Sequence, residues 1–195
     1  ATDEDGEKMC RAYAKKFYDT LGDAVYDEDV AGLEETVVDT LKKKGLTIST
    51  AESCTGGNIA HNITMNAGSS AYFLGSVVSY SNEVKANVLH VSRNDLSRFG
   101  AVSQPVAEQM ARGVANLMHT NCAMATTGIA GPEGGTKFKP VGTVWMAVQY
   151  NGQTVSELIK FKGDRNTVIE SATNHAMFML IKLLRNSYTP HEEIN

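Results

Sequence analysis

The chain has 195 residues, of which 42% are hydrophobic and 21% are charged, and its formal net charge at pH 7 is −4. This is ordinary globular composition, without a basic patch that would bind nucleic acid and without an apolar run near the roughly 20 residues that cross a bilayer. Three widely spaced cysteines without a metal-binding pair indicate a reducing compartment and predict a cytoplasmic protein.

Residues 1–30 differ from the rest of the chain and are predicted to form an N-terminal extension with one short helix. Met9, Tyr13, Phe17 and Leu21 recur at four-residue spacing, as on one face of an amphipathic helix. We expect a packing helix or a partly ordered tail rather than a functional arm. The first residues lack the layout of a secretory signal, but the chain does not begin with Met, so an earlier targeting peptide stays an open question.

From residue 31 onward, helical and strand patterns alternate in what we interpret as one domain over 31–195. The first helix carries Leu33, Val37, Val38 and Leu41 on one face and ends at Gly45. The later elements are expected in this order: a strand over 46–50, a helix after Gly57, a strand over 73–80, a helix with Val84, Val88 and Leu89, a helix capped by Ser103 with Pro105 in its first turn and Val106, Met110, Val114 and Met118 on one face, a strand over 122–127, strands over 142–150 and 153–161 joined by Asn151-Gly152, and a helix capped by Asp164 that carries Val168, Ala172, Ala176, Met179 and Leu183. Strands that alternate with helices, plus one hairpin, predict a layered α/β domain with a mixed sheet.

Two loops rich in glycine and hydroxyl groups follow predicted strands directly. They are Ser53–Gly57 and Gly128–Gly135. Ligands collect at the carboxyl ends of strands in open α/β sheets, and helix N-termini there bind anions. Neither loop has the spacing of a Walker A or a dinucleotide-binding motif, so each alone is compatible with a tight turn. Their occurrence after two strands favours a ligand site.

Ser53 lies at a strand end, ahead of glycines and a helix, where a nucleophile is expected, but a serine hydroxyl needs a base. No histidine lies in a second strand-end loop, so all five are expected at the surface or in packing: His61, His90, His119, His175 and His191. Lys85 follows another strand end and could act as the base if its pKa were depressed. Lysines are almost never buried, so these residues alone favour a solvated Lys85.

Three further residues near these loops have two interpretations each. Cys54 is a rival nucleophile or a small core side chain, and we expect the core role. Glu52 is a general acid or an acid that complements the dipole of the following helix. Arg165 binds a substrate phosphate or forms an ion pair with a carboxylate.

Five motifs, in order over about residues 31–185, identify a resemblance. They are Thr50-Ala51-Glu52-Ser53-Cys54-Thr55-Gly56-Gly57, Ser79-Tyr80-Ser81-Asn82-Glu83-Val84-Lys85, Gly100-Ala101-Val102-Ser103, Thr127-Gly128-Ile129-Ala130-Gly131-Pro132-Glu133-Gly134-Gly135 and Lys139-Pro140-Val141-Gly142-Thr143-Val144. Together they resemble the C-terminal domain of the competence/damage-inducible protein CinA, which is also found alone as the nicotinamide-nucleotide amidase PncC. The resemblance implies a three-layer α/β/α sandwich.

It also implies an amidase that converts nicotinamide mononucleotide to nicotinate mononucleotide and ammonia through an acyl-enzyme. Ser53 would be the nucleophile and Lys85 its base, acting directly or through Tyr80. Backbone N–H groups near Thr55, Gly56 or 128–131 would hold the oxyanion. The residues expected to bind substrate are Thr55, Gly56, Gly57, Gly128, Ala130, Gly131 and Arg165. No cofactor or metal is expected, and the small-molecule substrate and further copies of the chain, in a homo-oligomer, are the expected partners.

Two other functions stay open at this point. Some members of the family keep the fold without the catalytic lysine, so a catalytically silent nucleotide-binding or regulatory module is the alternative. A cysteine-dependent hydrolase that uses Cys54 is the third hypothesis.

Overall fold

The computed structural model describes residues 4–27 and 30–185. The strands of this part of the chain are β1 (Ile48–Glu52), β2 (Phe73–Val78), β3 (Cys122–Gly128), β4 (Thr143–Tyr150) and β5 (Gln153–Lys160). Its α-helices are α1 (Glu4–Leu21), α2 (Leu33–Lys44), α3 (Asn58–Thr64), α4 (Asn82–Val88), α5 (Arg93–Phe99), α6 (Gln104–Met118) and α7 (Arg165–Leu184).

The five strands form one mixed sheet in the order β2-β1-β3-β4-β5. β1 pairs in parallel with both β2 and β3, whereas β3, β4 and β5 pair antiparallel. Asn151 and Gly152 have φ of 47° and 83° in the turn between β4 and β5, which confirms the predicted hairpin. The carboxyl ends of β2, β1 and β3 therefore meet at one edge of the sheet, with β1 in the middle.

Helices cover both faces of the sheet and confirm the three-layer α/β/α architecture. On one face, α2, α3 and α7 pack against large strand side chains such as Ile48, Met124 and Met146. On the other face, α5 and α6 pack against small ones. These small side chains are Ala51, Ala123, Ala125 and Ala147. Because successive strand residues point to opposite faces, one run such as Cys122–Ala125 supplies both layers.

The predicted helical faces are confirmed in α2 and α6. Val37, Val38 and Leu41 of α2 are buried, and Gly45 ends the helix with a left-handed φ of 62°. Ser103 occupies the N-cap position of α6 with proline in the first turn, as expected. Its hydroxyl donates to the carbonyl oxygen of Gly100 instead of capping the helix, so the position was predicted correctly and the interaction was not.

Three other elements differ from the sequence-based expectations. The first strand begins at Ile48 and runs to Glu52, two residues later than predicted, and β2 ends at Val78 instead of residue 80. Helix α5 was not predicted, because Leu96 is its only buried residue and one apolar position gives no helical period.

The N-terminal helix forms where it was predicted and is longer than expected. It covers Glu4–Leu21, and none of its residues is buried. The four apolar side chains that suggested the helix are more than half exposed: Met9, Tyr13, Phe17 and Leu21. Of the two expectations for this segment, a packing helix or a partly ordered tail, the exposure of these four side chains does not support the packing helix.

Candidate active site

The two glycine-rich loops and the lysine-bearing helix meet at the edge where the three parallel strands end. Ser53 follows β1 directly, and the strand register aligns Glu52 with Val78 of β2 and with Thr126 of β3. Lys85 lies on α4, just beyond β2. The parallel arrangement of β2, β1 and β3 brings these side chains together from three separate segments.

Ser53 lies in a tight turn between β1 and α3. Its backbone N–H donates to the carbonyl oxygen of Thr126 at 3.0 Å, and its own carbonyl oxygen accepts from the N–H of Gly56 at 3.2 Å. Gly56 and Gly57 have φ of 64° and 103°, a backbone conformation that side chains disfavour. The turn presents the half-buried Ser53 hydroxyl toward α4.

Lys85 is buried, with 1% of its surface exposed, and its amine contacts the serine directly. Nζ lies 3.0 Å from Ser53 Oγ and donates to the carbonyl oxygen of Ser79 at 2.6 Å. Burial lowers the pKa of the Lys85 amine to about 8 from 10.5, because desolvation disfavours the charged form. The solvated lysine favoured by the residue types alone is therefore wrong, and about one tenth of the amine is neutral at pH 7.

The helix that carries this lysine, α4, has the hydroxyl of Ser81 as its N-cap. The Ser81 side chain accepts from the N–H of Val84 at 3.2 Å, at the start of α4. The cap fixes the start of α4, a seven-residue helix that carries Lys85 at its fourth position. The hydrogen bond from the Lys85 amine to the Ser79 carbonyl was not predicted, because a backbone acceptor cannot be recognised from residue types.

Cys54 is a core side chain, as expected. It is 7% exposed and belongs to the apolar cluster beneath α3 and α7. Burial raises the pKa of its thiol to about 12 from 9.0, so almost none of it is thiolate at neutral pH. The geometry does not favour Cys54 over Ser53 as a nucleophile.

Glu52 caps α3 and is completely buried. Its Oε2 accepts from the N–H of Gly57 and of Ile59, and its Oε1 accepts from the N–H of Ala60. This arrangement corresponds to the helix-dipole role and not to the general acid. It also shows that α3 does not offer free N–H groups to a ligand here, because the carboxylate of Glu52 occupies them.

An open cleft of about 280 Å³ lies over Ser53 and Lys85. The rest of its lining combines the predicted loop after β3 with segments from elsewhere: Cys54, Tyr80, Ala101, Val102, Thr127, Gly128, Ile129, Ala130, Gly131, Glu133, Gly134 and Arg165. Gly128, Ala130, Gly131 and Arg165 were predicted to bind substrate, and all four line this cleft. Thr55, Gly56 and Gly57 do not line it.

Arg165 spans one end of the cleft. Its Nη1 donates to the carbonyl oxygen of Gly131 at 2.6 Å and its Nη2 donates to Tyr80 Oη at 3.2 Å. The alternative expected from the sequence, an ion pair with a carboxylate, is not seen in the described residues. Tyr80 is 65% exposed, and in this part of the chain no hydrogen bond joins it to Ser53 or Lys85. The contact between Ser53 and Lys85 is direct.

One wall of the cleft is held by a side chain that the sequence analysis did not single out. Lys139 Nζ donates to the carbonyl oxygens of Phe99 and Val102, at 2.7 Å and 2.8 Å. The Thr127 hydroxyl donates to the carbonyl oxygen of Ala101 at 2.9 Å. Lys139 begins the last of the five motifs, so the sequence analysis found the motif but did not predict the contacts of its lysine.

The histidines and acidic residues of the described chain do not build a second site. No group of three His, Cys, Asp or Glu side chains there could hold a metal ion. His175 lies 2.7 Å from Glu157, away from the cleft lining, and His191 lies outside the described residues. No helix of residues 4–27 and 30–185 is long and apolar enough to cross a membrane.

Known proteins are similar to this chain in both sequence and fold. A family model described as the CinA C-terminal domain matches residues 30–184. The chain is 44% identical over 185 residues to a CinA-like protein of Dictyoglomus thermophilum, covering 95% of this chain and 45% of the relative. A putative competence-damage inducible protein of Clostridium beijerinckii is 44% identical over 183 residues, covering 94% of this chain and 45% of the relative. The chain thus spans less than half the length of these curated relatives.

Solved structures give the same result. A CinA superfamily protein from Klebsiella pneumoniae is 38% identical with a TM-score of 0.76, covering 79% of this chain and 96% of that one. A competence/damage inducible protein from Agrobacterium tumefaciens is 40% identical with a TM-score of 0.76, covering 78% and 93%. On the combined strength of the family model, the relatives and the fold, the chain belongs to the CinA C-terminal domain family.

Proposed function

We propose that the chain is an amidohydrolase that deamidates nicotinamide mononucleotide by a serine–lysine acyl-enzyme mechanism. The observation that carries the proposal is the 3.0 Å contact between Ser53 Oγ and the amine of a buried Lys85. A serine hydroxyl becomes nucleophilic when an adjacent base takes its proton. Burial supplies such a base, since it moves the pKa of the Lys85 amine to about 8, close to neutral pH.

In the first half-reaction, neutral Lys85 takes the proton from Ser53 Oγ, and Oγ forms a bond to the carboxamide carbon. The tetrahedral intermediate collapses when Lys85 returns the proton to the amide nitrogen, so that the C–N bond breaks and ammonia leaves. In the second half-reaction, Lys85 takes a proton from water, and the hydroxide attacks the ester carbon. The C–Oγ bond breaks, Ser53 regains its proton, and nicotinate mononucleotide leaves.

The oxyanion needs backbone donors that are not already used. Gly56 and Gly57 donate within the turn, to Ser53 and Glu52. In the described residues no hydrogen bond engages the N–H of Thr55, but Thr55 does not line the cleft. We therefore assign the oxyanion to the loop over 128–131, where one lost donor typically costs about 3 kcal/mol of transition-state stabilisation.

The anionic end of the substrate is assigned to Arg165. Its guanidinium lines the cleft and is held between two walls by Gly131 and Tyr80. A guanidinium fixed in this way suits a phosphate, because its planar donors match phosphate oxygens in pairs. The Glu52 carboxylate occupies the start of α3, which removes that helix as the phosphate site.

The test is ammonia release from nicotinamide mononucleotide by the wild-type chain. Ser53→Ala and Lys85→Met should each abolish turnover, while Lys160→Met, which removes an exposed lysine at the end of β5, should leave it unchanged. Cys54→Ala should remain active. Turnover by Ser53→Ala at the wild-type rate would refute the nucleophile, and calorimetric binding of the mononucleotide without ammonia would identify the silent nucleotide-binding module instead.

We further propose that the protein acts in the cytoplasm as a homo-oligomer. The thiols of Cys10, Cys54 and Cys122 are free, which agrees with a reducing compartment. The oligomer is implied by the family resemblance alone. Cell fractionation tests the location, and sedimentation tests the assembly, where a single species at the chain mass of 21.0 kDa would contradict it.

A further inference from the structure

Glu52 immediately precedes the proposed nucleophile, and both of its carboxylate oxygens are fully engaged by the turn and the helix that follow. The residue is completely buried. It accepts hydrogen bonds from the Thr55 hydroxyl and from the backbone N–H groups of Gly57, Ile59 and Ala60. A buried carboxylate with four donors is strongly constrained, because leaving any of these partners unsatisfied is costly.

The backbone on either side of this carboxylate is fixed as well. The carbonyl oxygen of Glu52 accepts from the N–H of Ser79 at 2.8 Å, and the N–H of Ser53 donates to Thr126 at 3.0 Å. The main chain at Glu52 and Ser53 is thus hydrogen-bonded to the neighbouring strands, and the Glu52 side chain is hydrogen-bonded to the first turn of α3. Ser53 lies between these two fixed points.

A second hydroxyl ties the same carboxylate to the neighbouring strand. The Thr55 hydroxyl lies 2.7 Å from Glu52 Oε2 and 2.7 Å from the Thr126 hydroxyl of β3. Without these bonds the turn would be free to change conformation, because it contains Gly56 and Gly57 and glycine restricts the backbone least. The position of Ser53 Oγ relative to Lys85 therefore depends on groups that do not line the cleft.

We infer that Glu52 is a positioning residue: it keeps the turn closed so that Ser53 Oγ stays within hydrogen-bonding distance of Lys85 Nζ. The inference rests on the proposed function insofar as Ser53 is the nucleophile. It goes further in assigning part of the reactivity of Ser53 to a carboxylate that touches neither substrate nor base. A misplacement of about 1 Å at a reacting atom typically costs about 100-fold in rate.

The experiment uses two variants and one control in the full chain. Glu52→Gln keeps the shape but turns an amide N–H₂ toward one set of donors. Thr55→Val removes the link to Glu52 and Thr126 with little change of volume. Ser92→Ala is the matched control, because it removes the hydroxyl cap of α5, which accepts from Asp95 at 3.2 Å and does not line the cleft.

The primary measurement is the rate at which a fluorophosphonate labels Ser53, followed by intact mass and normalised to the folded fraction. In labelling, Oγ forms a bond to phosphorus, fluoride leaves, and Lys85 takes the proton. Glu52→Gln and Thr55→Val should be labelled about tenfold or more slowly than wild type, whereas Ser92→Ala should match wild type despite a lower Tm. With nicotinamide mononucleotide as substrate, kcat should fall while KM stays within about twofold.

Labelling of Glu52→Gln at the wild-type rate would overturn the inference, as would an equal loss in Ser92→Ala. If Glu52→Gln does not fold, Thr55→Val is the test: slower labelling supports the inference, and labelling at the wild-type rate overturns it. A wild-type chain that is labelled at Ser53 but releases no ammonia would refute the proposed substrate and leave the labelling comparison valid. A wild-type chain that is not labelled at Ser53 would refute this inference together with the nucleophile.

Discussion

Replacing the buried lysine should make the protein inactive and, at neutral pH, more stable. Lys85 is 1% exposed and the pKa of its amine falls from 10.5 to about 8 on folding. Each pKa unit corresponds to 1.36 kcal/mol, so folding a protonated Lys85 costs about 3 kcal/mol at pH 7. Lys85→Met removes that cost and loses the hydrogen bonds to the Ser79 carbonyl and to the Ser53 hydroxyl, each worth about 1 kcal/mol. The expected net gain in the free energy of unfolding is about 1 kcal/mol.

The pH dependence of this difference has a definite sign. The unfolded chain binds the lysine proton up to its ordinary pKa of 10.5, whereas the folded chain loses it near 8. The penalty is therefore complete below pH 8 and is relieved as the pH rises from 8 to 10.5. At pH 9.5 about 1 kcal/mol of the penalty remains, which is less than the roughly 2 kcal/mol contributed by the two lost hydrogen bonds. Lys85→Met should then be about 1 kcal/mol less stable than wild type.

Urea unfolding monitored by the fluorescence of Trp145, the one tryptophan of the chain, measures these differences at pH 7.0, 8.5 and 9.5. Lys160→Met is the matched control, since an exposed lysine at a strand end should contribute within about 0.5 kcal/mol at every pH. A Lys85→Met variant less stable than wild type at pH 7, or a difference that does not change with pH, would refute the assignment of Lys85 as a buried amine with a lowered pKa.

Three further predictions concern the same site and its support. The value of kcat/KM should rise with pH through an apparent pKa near 8, because neutral Lys85 is the base, and a rate profile with its acid limb near 10 would contradict this. Arg165→Met should raise KM about tenfold or more with a smaller change in kcat, whereas Tyr80→Phe, which loses only the 3.2 Å contact with Arg165, should raise KM by less than about threefold. Steady-state kinetics measure both constants. If Tyr80 instead transferred protons in the reaction, Tyr80→Phe would lower kcat as far as Ser53→Ala does. Gly113→Ala on α6 should destabilise the protein by about 2 kcal/mol, because a Cβ there would overlap the carbonyl oxygen of Leu89. Replacing glycine by alanine in a helix interior normally raises the free energy of unfolding by about 1 kcal/mol, whereas urea unfolding of this variant should show a decrease.

The parts of the fold that could be predicted from the sequence are those whose patterns are local. The apolar period of α2 and α6 and the Asn151-Gly152 turn depend on residues a few positions apart, and each of these elements is confirmed. Helix α5 was missed because its one buried side chain, Leu96, produces no period. Local pattern also located Ser53 at a strand end, but it could not identify what that serine contacts.

The contacts of the site depend on distant segments, and this explains what the sequence analysis missed. Residue preference predicted a solvated Lys85, yet the fold buries Lys85 against Ser53, which lies 32 positions earlier in the chain. Only the resemblance to a known family pointed to the pair. Likewise, the choice between two roles for Glu52 depended on where α3 begins, and the partner of Arg165 depended on Tyr80, 85 positions away.

The antiparallel hairpin has a practical consequence for labelling the protein. β4 leaves the loop that walls the cleft and β5 returns to that same end, so the exposed turn at Asn151 and Gly152 lies at the opposite end of the sheet. Exposed turn tips tolerate inserted residues best. A fluorescent reporter or affinity tag placed between these two residues would therefore sit a full strand length from Ser53, and would leave both chain termini untouched.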